Sequence, residues 1–310
     1  MQKQSKTPLD FNDVIELIRY FDTEEKCLQY IVEMRWCNEI RCTHCDSSKI
    51  YKFSDGKRYK CGECGTHFTA LVGTIFQDTK LPLIKWLTAM YFIGTDKRGI
   101  STRNLAAKIR VSVKTAWFLL HRIRESMKQP KEKLEGVIEA DETFIGGKNK
   151  NRHIDKKVKN SQGRSYKDKV PVFGAKERDG KLRTVIIDNT KVETIKAAII
   201  SVAKERSTVY SDEWIGYSSL SDNFNHGVID HRKKQFREGD ICTNGIECAW
   251  SHLKRMIFGV YYKVSKKHLQ RYLNEFTFRY NTRSINECTR LKEMMKNIQH
   301  PLKYNQLIAA

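Results

Sequence analysis

Two C-x2-C pairs, Cys42-Thr-His-Cys45 and Cys61-Gly-Glu-Cys64, stand fifteen residues apart in a stretch with almost no apolar core of its own. So polar a segment buries too little surface to fold by the hydrophobic effect, whereas four thiolates around one zinc ion supply the folding free energy directly. From residue 42 to about residue 73 the helical spacing of apolar residues vanishes. Gly56, Gly62 and Gly65 punctuate short polar hairpins instead and give the turns their backbone freedom. The spacing therefore predicts a zinc ribbon over residues 41–76 with Cys42, Cys45, Cys61 and Cys64 as ligands, and with His44 and His67 as weaker substitutes. Redox C-x-x-C motifs are not expected in tandem at this spacing. Cys27, Cys37, Cys242, Cys248 and Cys288 have no paired spacing and are assigned to packing.

Zinc sites of this kind imply a reducing compartment. The polar N-terminus, Met1 to Asp10, lacks the apolar segment of a secretory signal, so the chain is expected in the cytoplasm, at the nucleoid if its host is bacterial. The longest apolar stretches, such as Leu81 to Ile93, are broken by Lys85 and Thr88 and fall short of the ~20 residues of a membrane span. The 310 residues carry 57 Lys and Arg against 36 Asp and Glu, a net charge of +21, which points to a polyanionic partner, with nucleic acid first. Nine Lys and Arg with only Asp155 and Asp168 fall between Gly147 and Lys169, a solvated loop or a phosphate-contacting arm to which Lys148 and Lys150 belong.

Length allows two or three compact units. Residues 1–40 read as a helical lead-in, with Phe11, Val14, Ile15, Leu17, Ile18 and Phe21 at three- and four-residue spacings. Over residues 77–130 the pattern is helical again and contains a helix-turn-helix. Ser101 caps a first helix with Leu105, Ala106 and Ile109 inward, Arg110-Val111 turn the chain, and Ser112 caps a second. That second helix turns Ala116, Leu119, Leu120 and Ile123 inward and leaves Lys114, Thr115 and Arg122 for DNA, the geometry that lays a helix in the major groove.

Acids inside an apolar strand need a reason. Gly136 to Phe144 alternates so that Glu139 and Asp141 share one face while Ile138, Ala140 and Glu142 share the other. Further strands are expected at Val170 to Ala175, Leu182 to Asp188 and Thr208 to Asp212, with a fifth at Gly227 to His231. A helix over Lys191 to Ala203 precedes the fourth strand, and another begins near Asn244 and carries Glu247. Acids on the first strand, at the end of the fourth and on a late helix, in the order β-β-β-α-β-α-β-α, give an α/β ribonuclease H-like domain with a mixed five-stranded sheet over residues 134–285. Residues 286–310 are left as a C-terminal tail. Converging carboxylates suit two Mg2+ ions, with Mn2+ as a substitute, since hard oxygen ligands leave coordination for water and phosphate. Pattern alone leaves Glu139 and Asp141 equivalent, Asp212 open to a capping role and Glu247 open to a capping box with Asn244. Glu247, Ser251 and Lys254 share one side of their helix, so an acid and a phosphate-reaching lysine lie together.

The four-Cys ribbon, Gly73-Thr-Ile-Phe76, Lys80-Leu-Pro-Leu83 with Trp86, and Lys114 to Arg124 are joined by Glu139-Ala-Asp-Glu-Thr-Phe-Ile-Gly-Gly147, Tyr210-Ser-Asp212, Thr243-Asn-Gly-Ile-Glu247 and His268 to Asn281. Together they resemble the IS1595-type, ISXO2-like insertion-sequence transposases over nearly the whole chain. The resemblance implies a DDE set that falls on Asp141, Asp212 and Glu247, with 34 residues between the last two, and it selects Asp141 over Glu139. It also implies a zinc ribbon, terminal inverted repeats and target DNA as double-stranded partners, and synapsis by a homo-oligomer. The sequence departs from the family pattern at Cys242, which stands where the family has His before Thr-Asn, and Gly245 is unusual so near a catalytic helix. The rival expectation is a DNA-binding regulator with an inactive nuclease-like domain. The stripe Leu269, Tyr272, Leu273, Phe276 and Tyr280 reads as core, and His268 to Arg271 with Tyr280 is not a recombinase site.

Overall fold

The computed structural model describes residues 11–37, 39–147, 149–159, 161, 165, 167–230, 233 and 237–309. The chain divides into two compact units, one formed by residues 1–128 with 284–310 and the other by residues 129–283.

The first unit opens with helices α1 (Val14–Tyr20) and α2 (Glu24–Trp36), parted where the Thr23 hydroxyl caps α2 by accepting from the Lys26 amide. The ribbon follows as three antiparallel strands in chain order, β1 (Ile50–Lys52), β2 (Arg58–Cys61) and β3 (His67–Thr69). Its buried apolar complement is little more than Tyr59 stacked on Phe68, with Trp36 edge-on to both. Helices α3 (Leu83–Thr95), α4 (Thr102–Ile109) and α5 (Val113–Ser126) complete the N-terminal run. Ser101 and Ser112 cap α4 and α5 with their hydroxyls, and Arg110 between them takes a left-handed conformation at φ 49°. Leu105, Ala106, Ile109, Ala116, Leu119, Leu120 and Ile123 are all buried, as the apolar spacing requires.

The second unit is built on a five-stranded sheet. Strands β4 (Val137–Ile145), β5 (Val170–Glu177) and β6 (Leu182–Ile186) are antiparallel in sequence, while β7 (Thr208–Asp212) and β8 (Asn225–Ile229) add in parallel on the other side of β4. The spatial order is β6-β5-β4-β7-β8, which makes β4 the central strand. The last strand starts two residues before the apolar run suggested, and His231 lies outside the described residues. Helix α6 (Val192–Val202) covers one face, where Ile195 and Ile199 pack with Ile138, Ala140, Phe173 and Val209. Helices α7 (Asn244–Met256) and α8 (Lys266–Asn281) cover the other, where Ile246, Trp250 and Leu253 meet Ile145, Val172, Leu269 and Leu273. An edge strand leaves backbone groups unpaired, and α8 supplies partners to β6. Asn281 Oδ1 accepts from Leu182 N at 2.8 Å, Gln270 Oε1 from Ile186 N at 3.2 Å, and Thr277 meets Thr184 at 2.8 Å.

Residues 286–310, read from sequence only as a tail, form α9 (Glu287–Lys296) and α10 (Tyr304–Ile308) and belong to the first unit. Leu291, Met294, Met295 and Leu307 are buried there, and Ile75 N donates to Ile298 O at 2.8 Å. Among the described residues no helix is long and apolar enough to cross a membrane.

Candidate functional site

In the ribbon, turns after the two C-x2-C pairs aim four sulfurs at one point. Cys42 Sγ lies 3.6 Å from Cys64 Sγ and Cys45 Sγ 3.6 Å from Cys61 Sγ, and all four fall within 4.8 Å of one another. A tetrahedral Zn2+ with bonds near 2.3 Å places its sulfurs about 3.8 Å apart, so the spacing fits the ion. Amides of His44 and Cys64 point at Cys42 Sγ and Cys61 Sγ at 3.4 and 3.5 Å, and the Thr66 side chain and amide pull the Cys64 thiol down to about 6, toward the ligating thiolate. His67 instead packs edge-on against Phe53. Among the described residues the thiols are the one group of three or more potential ligands gathered this tightly.

Glu139 and Asp141 share the α7 face of β4, whereas Ile138 and Ala140 face α6. Asp141 pairs across the sheet with Gly174, and the Trp250 ring lies over that glycine so closely that a Cβ there would come within 2.4 Å of it. Burial under this helix raises the Asp141 carboxyl to about 7, and the charges of Asp212 and Glu247 push the same way. Two acids remote in sequence thus act on the first. Asp212 ends β7, beside β4, and one of its oxygens accepts from the Trp214 amide at 3.1 Å, a local turn rather than a helix cap. Thr243, not Asn244, stands at the N-cap of α7 without a capping bond from its side chain, so Glu247 falls one position past a capping box and accepts from the Thr243 hydroxyl at 3.0 Å. Glu247, Ser251 and Lys254 are exposed along the same side of α7. Tyr217 donates to Glu142 on the opposite face of β4, which separates that acid from the group.

Sequence reasoning missed the part played by Glu139. Glu139 is 3% exposed, and its Oε2 accepts from the Ile246 amide at 2.9 Å, capping α7 from a different element. Gly245 lies where a Cβ would stand 2.6 Å from that oxygen and 3.0 Å from Lys176 Nζ, which accounts for a glycine in the first turn. Cys242 Sγ lies 3.2 Å from Arg178 Nη2, and Arg178 Nε lies 3.8 Å from Glu139 Oε1. The signal was available: two acids on one face of a strand that a helix N-terminus must meet.

Among the residues expected to meet DNA, Lys114, Thr115 and Lys150 are exposed. Lys114 Nζ sits over the Tyr304 ring at 5.1 Å, and Thr115 Oγ1 bonds the Ser112 hydroxyl at 2.8 Å. Arg122 differs from expectation. It is 5% exposed, its guanidinium stacks on Trp86 and Phe118 at 4.9 and 5.2 Å, and it donates to the Gln77 carbonyl. Stacking aromatics and the Gln77 carbonyl draw it inward, against the polar side of the helical wheel. Lys148 lies outside the described residues.

Residues 133–281 match the ISXO2-like transposase domain, and residues 22–67 match the transposase zinc-ribbon domain. The first span nearly coincides with the second compact unit. A protein of Halobacterium salinarum, described as an uncharacterized protein in transposable element ISH50, is 28% identical over 274 residues, covering 84% of this chain and 92% of that protein. No solved structure matches the chain.

Proposed function

The chain belongs to the ISXO2-like insertion-sequence transposases, and on that premise we propose that it binds the terminal inverted repeats of its element, cuts a strand at the element end and joins the freed 3′-hydroxyl to target DNA. The observation that carries this reading is Asp141 on the central strand, under α7 and beside the end of β7, where burial and the charges of Asp212 and Glu247 hold its carboxyl up at about 7. Negative charge concentrated in a partly buried site is costly to a fold and suited to divalent cations. The sheet order β6-β5-β4-β7-β8 with helices on both faces supports a ribonuclease H-like assignment for residues 129–283.

Asp141, Asp212 and Glu247 would hold Mg2+, which supplies activation of the attacking oxygen and charge stabilisation at the leaving one. The chain's own residues set the frame. The central strand fixes Asp141, the end of β7 fixes Asp212, and Glu139 anchors the N-terminus of α7 so that Glu247 faces outward one residue after the clamp. Lys254, exposed two turns along the same side, would steady a phosphate. Zinc on Cys42, Cys45, Cys61 and Cys64 holds the ribbon, and α4 with α5 presents Lys114 and Thr115 as a helix-turn-helix. Synapsis of two element ends calls for a homo-oligomer on DNA.

The test is Mg2+-dependent nicking of duplexes carrying the element ends. Asp141→Asn is expected to abolish nicking and to leave end binding within a few fold. Sequence-specific binding by the wild type without nicking in Mg2+ or Mn2+ would replace the transposase by a DNA-binding regulator.

A further inference from the structure

At the far end of β4 and α7 from the acids, the second unit holds a cleft of about 710 Å³. From Glu247 to Phe258 the helix advances about 16 Å, and from Asp141 to Gly146 the strand advances about 17 Å. The cleft therefore begins some five stacked nucleotides from the acids. Its wall includes Arg152, His153, Lys156 and Lys266, a basic rim suited to phosphates. Two aromatic rings also line it: Phe258, 47% exposed, and Tyr262, 79% exposed. Phe258 lies in a single π-helical turn, Ile257–Tyr261, and Tyr262 just beyond takes φ 59° with ψ −54°, a positive-φ conformation that disfavours a bulky side chain.

Asp168 shares the lining, and its side chain is fully buried. Its Oδ1 accepts from the Ser161 hydroxyl at 2.5 Å, while among the described residues its Oδ2 has no hydrogen-bond partner and meets Arg152 Nη2 only as an ion pair at 3.7 Å. A buried acceptor without a donor and a tyrosine with positive φ each work against folding, so both features point to a ligand. A backbone phosphodiester alone would not satisfy the Asp168 oxygen, because it carries no proton to donate. A nucleobase does: its exocyclic amine can donate to Oδ2, its face can stack on an exposed ring, and its phosphates can meet the basic rim.

We propose that this cleft receives one unpaired nucleobase bearing an exocyclic amine, adenine, cytosine or guanine, extruded from the DNA a few nucleotides from the cut. The assignment rests on the reading of the protein as a DNA transposase. It is tested with the full chain, without Mg2+, by titrating three duplexes of one sequence: fully paired, or carrying a single extrahelical adenine or thymine. The extrahelical adenine is expected to tighten binding about five- to tenfold over the paired duplex, and thymine clearly less.

Tyr262→Gly relieves the backbone while deleting the ring, so its Tm should hold or rise as the adenine gain disappears. In Asp168→Asn, Oδ1 keeps the Ser161 bond and Nδ2 replaces the free acceptor by a donor, so the preference should shift from adenine toward thymine, whose O4 accepts. Equal affinity for all three duplexes, or an adenine gain that survives both substitutions, overturns the cleft. Failure to bind any duplex overturns the transposase reading, and this inference with it.

Discussion

Asp141 is a carboxyl whose environment favours the proton, and that has a consequence for stability that needs no catalysis to observe. Its native value, about 7, lies above the ordinary Asp value of 3.8. Between those limits the folded state binds more protons than the unfolded one, so this group's contribution is fully present below about pH 4 and is lost as pH rises through 7. Metal-free protein should accordingly lose on the order of 2 to 4 kcal/mol from this residue across that window. Asp141→Asn, which keeps the shape and removes the charge, should melt higher than wild type at pH 8 without Mg2+ and should show a flatter slope between pH 4 and 7. Added Mg2+ should raise the Tm of the wild type and do little for the variant. Thermal melts at four pH values with and without the ion decide it, and a variant less stable than wild type at pH 8 would mean that the three acids do not repel one another. Arg122 makes the opposite case, a charge that looked available and is not. Burial lowers its guanidinium to about 10, still charged at neutral pH, and the Trp86 and Phe118 rings hold it in place. Arg122→Ala should therefore cost the first unit about 2 to 4 kcal/mol and leave the salt dependence of DNA binding unchanged, whereas Lys114→Ala should leave Tm alone and reduce the salt slope by about one.

Helix α7 is the element on which the site turns, because it brings Glu247 to a strand more than a hundred residues away. Two glycines allow the approach. At Gly174 the Trp250 ring occupies the space of a side chain, and at Gly245 the Glu139 carboxylate does. Gly174→Ala should force α7 off the sheet and cost about 1 to 3 kcal/mol by overpacking. Cleavage should fall further than that loss of folded protein explains, since Glu247 moves with the helix; nicking rates normalised to the folded fraction from circular dichroism would show a shortfall, and rates tracking the folded fraction would mean that α7 is not positioned by this contact. The same helix shows what could be read from sequence and what could not. Periodicity placed α4 to α8 and the strands β4 to β7 closely, because each buries one face and the apolar residues mark it. It put Glu139 and Asp141 on one face without separating their tasks: a carboxylate that caps a helix and one that repels two others are identical until the helix is docked. Nor could it see that 286–310 would bury Leu291 and Met294 in the first unit, since a short amphipathic helix does not name its partner. Arg122 was misplaced for a related reason, because a helical wheel counts charge as outward and takes no account of the rings that receive it, Phe118 on the same helix and Trp86 on α3.

At the scale of the whole molecule the two units are stabilised by different means. The second rests on two apolar layers, one on each face of its sheet. The first contains a ribbon whose buried apolar set is small and whose four sulfurs stand at zinc spacing. Zinc-thiolate coordination in such a segment is folding free energy rather than an addition to it. Stripping zinc with a chelator should unfold the ribbon, expose Trp36, Tyr59 and Phe68, and leave the cooperative melt of residues 129–283 close to its original Tm. Tryptophan fluorescence should report the ribbon, and hydrogen exchange should show protection lost from residues 42–69 while β4 and β5 stay protected. Cys42→Ser with Cys61→Ser should reproduce the chelated state without chelator, which separates loss of zinc from loss of any other metal. Because Mg2+ would be held elsewhere, by carboxylates, chelated protein resupplied with Mg2+ alone should regain the Mg2+-dependent rise in Tm of the second unit and not the protection of the ribbon. If instead zinc removal collapsed both melts together, the ribbon would be part of the core that folds the second unit, and the division of labour between thiolates and carboxylates would have to be abandoned.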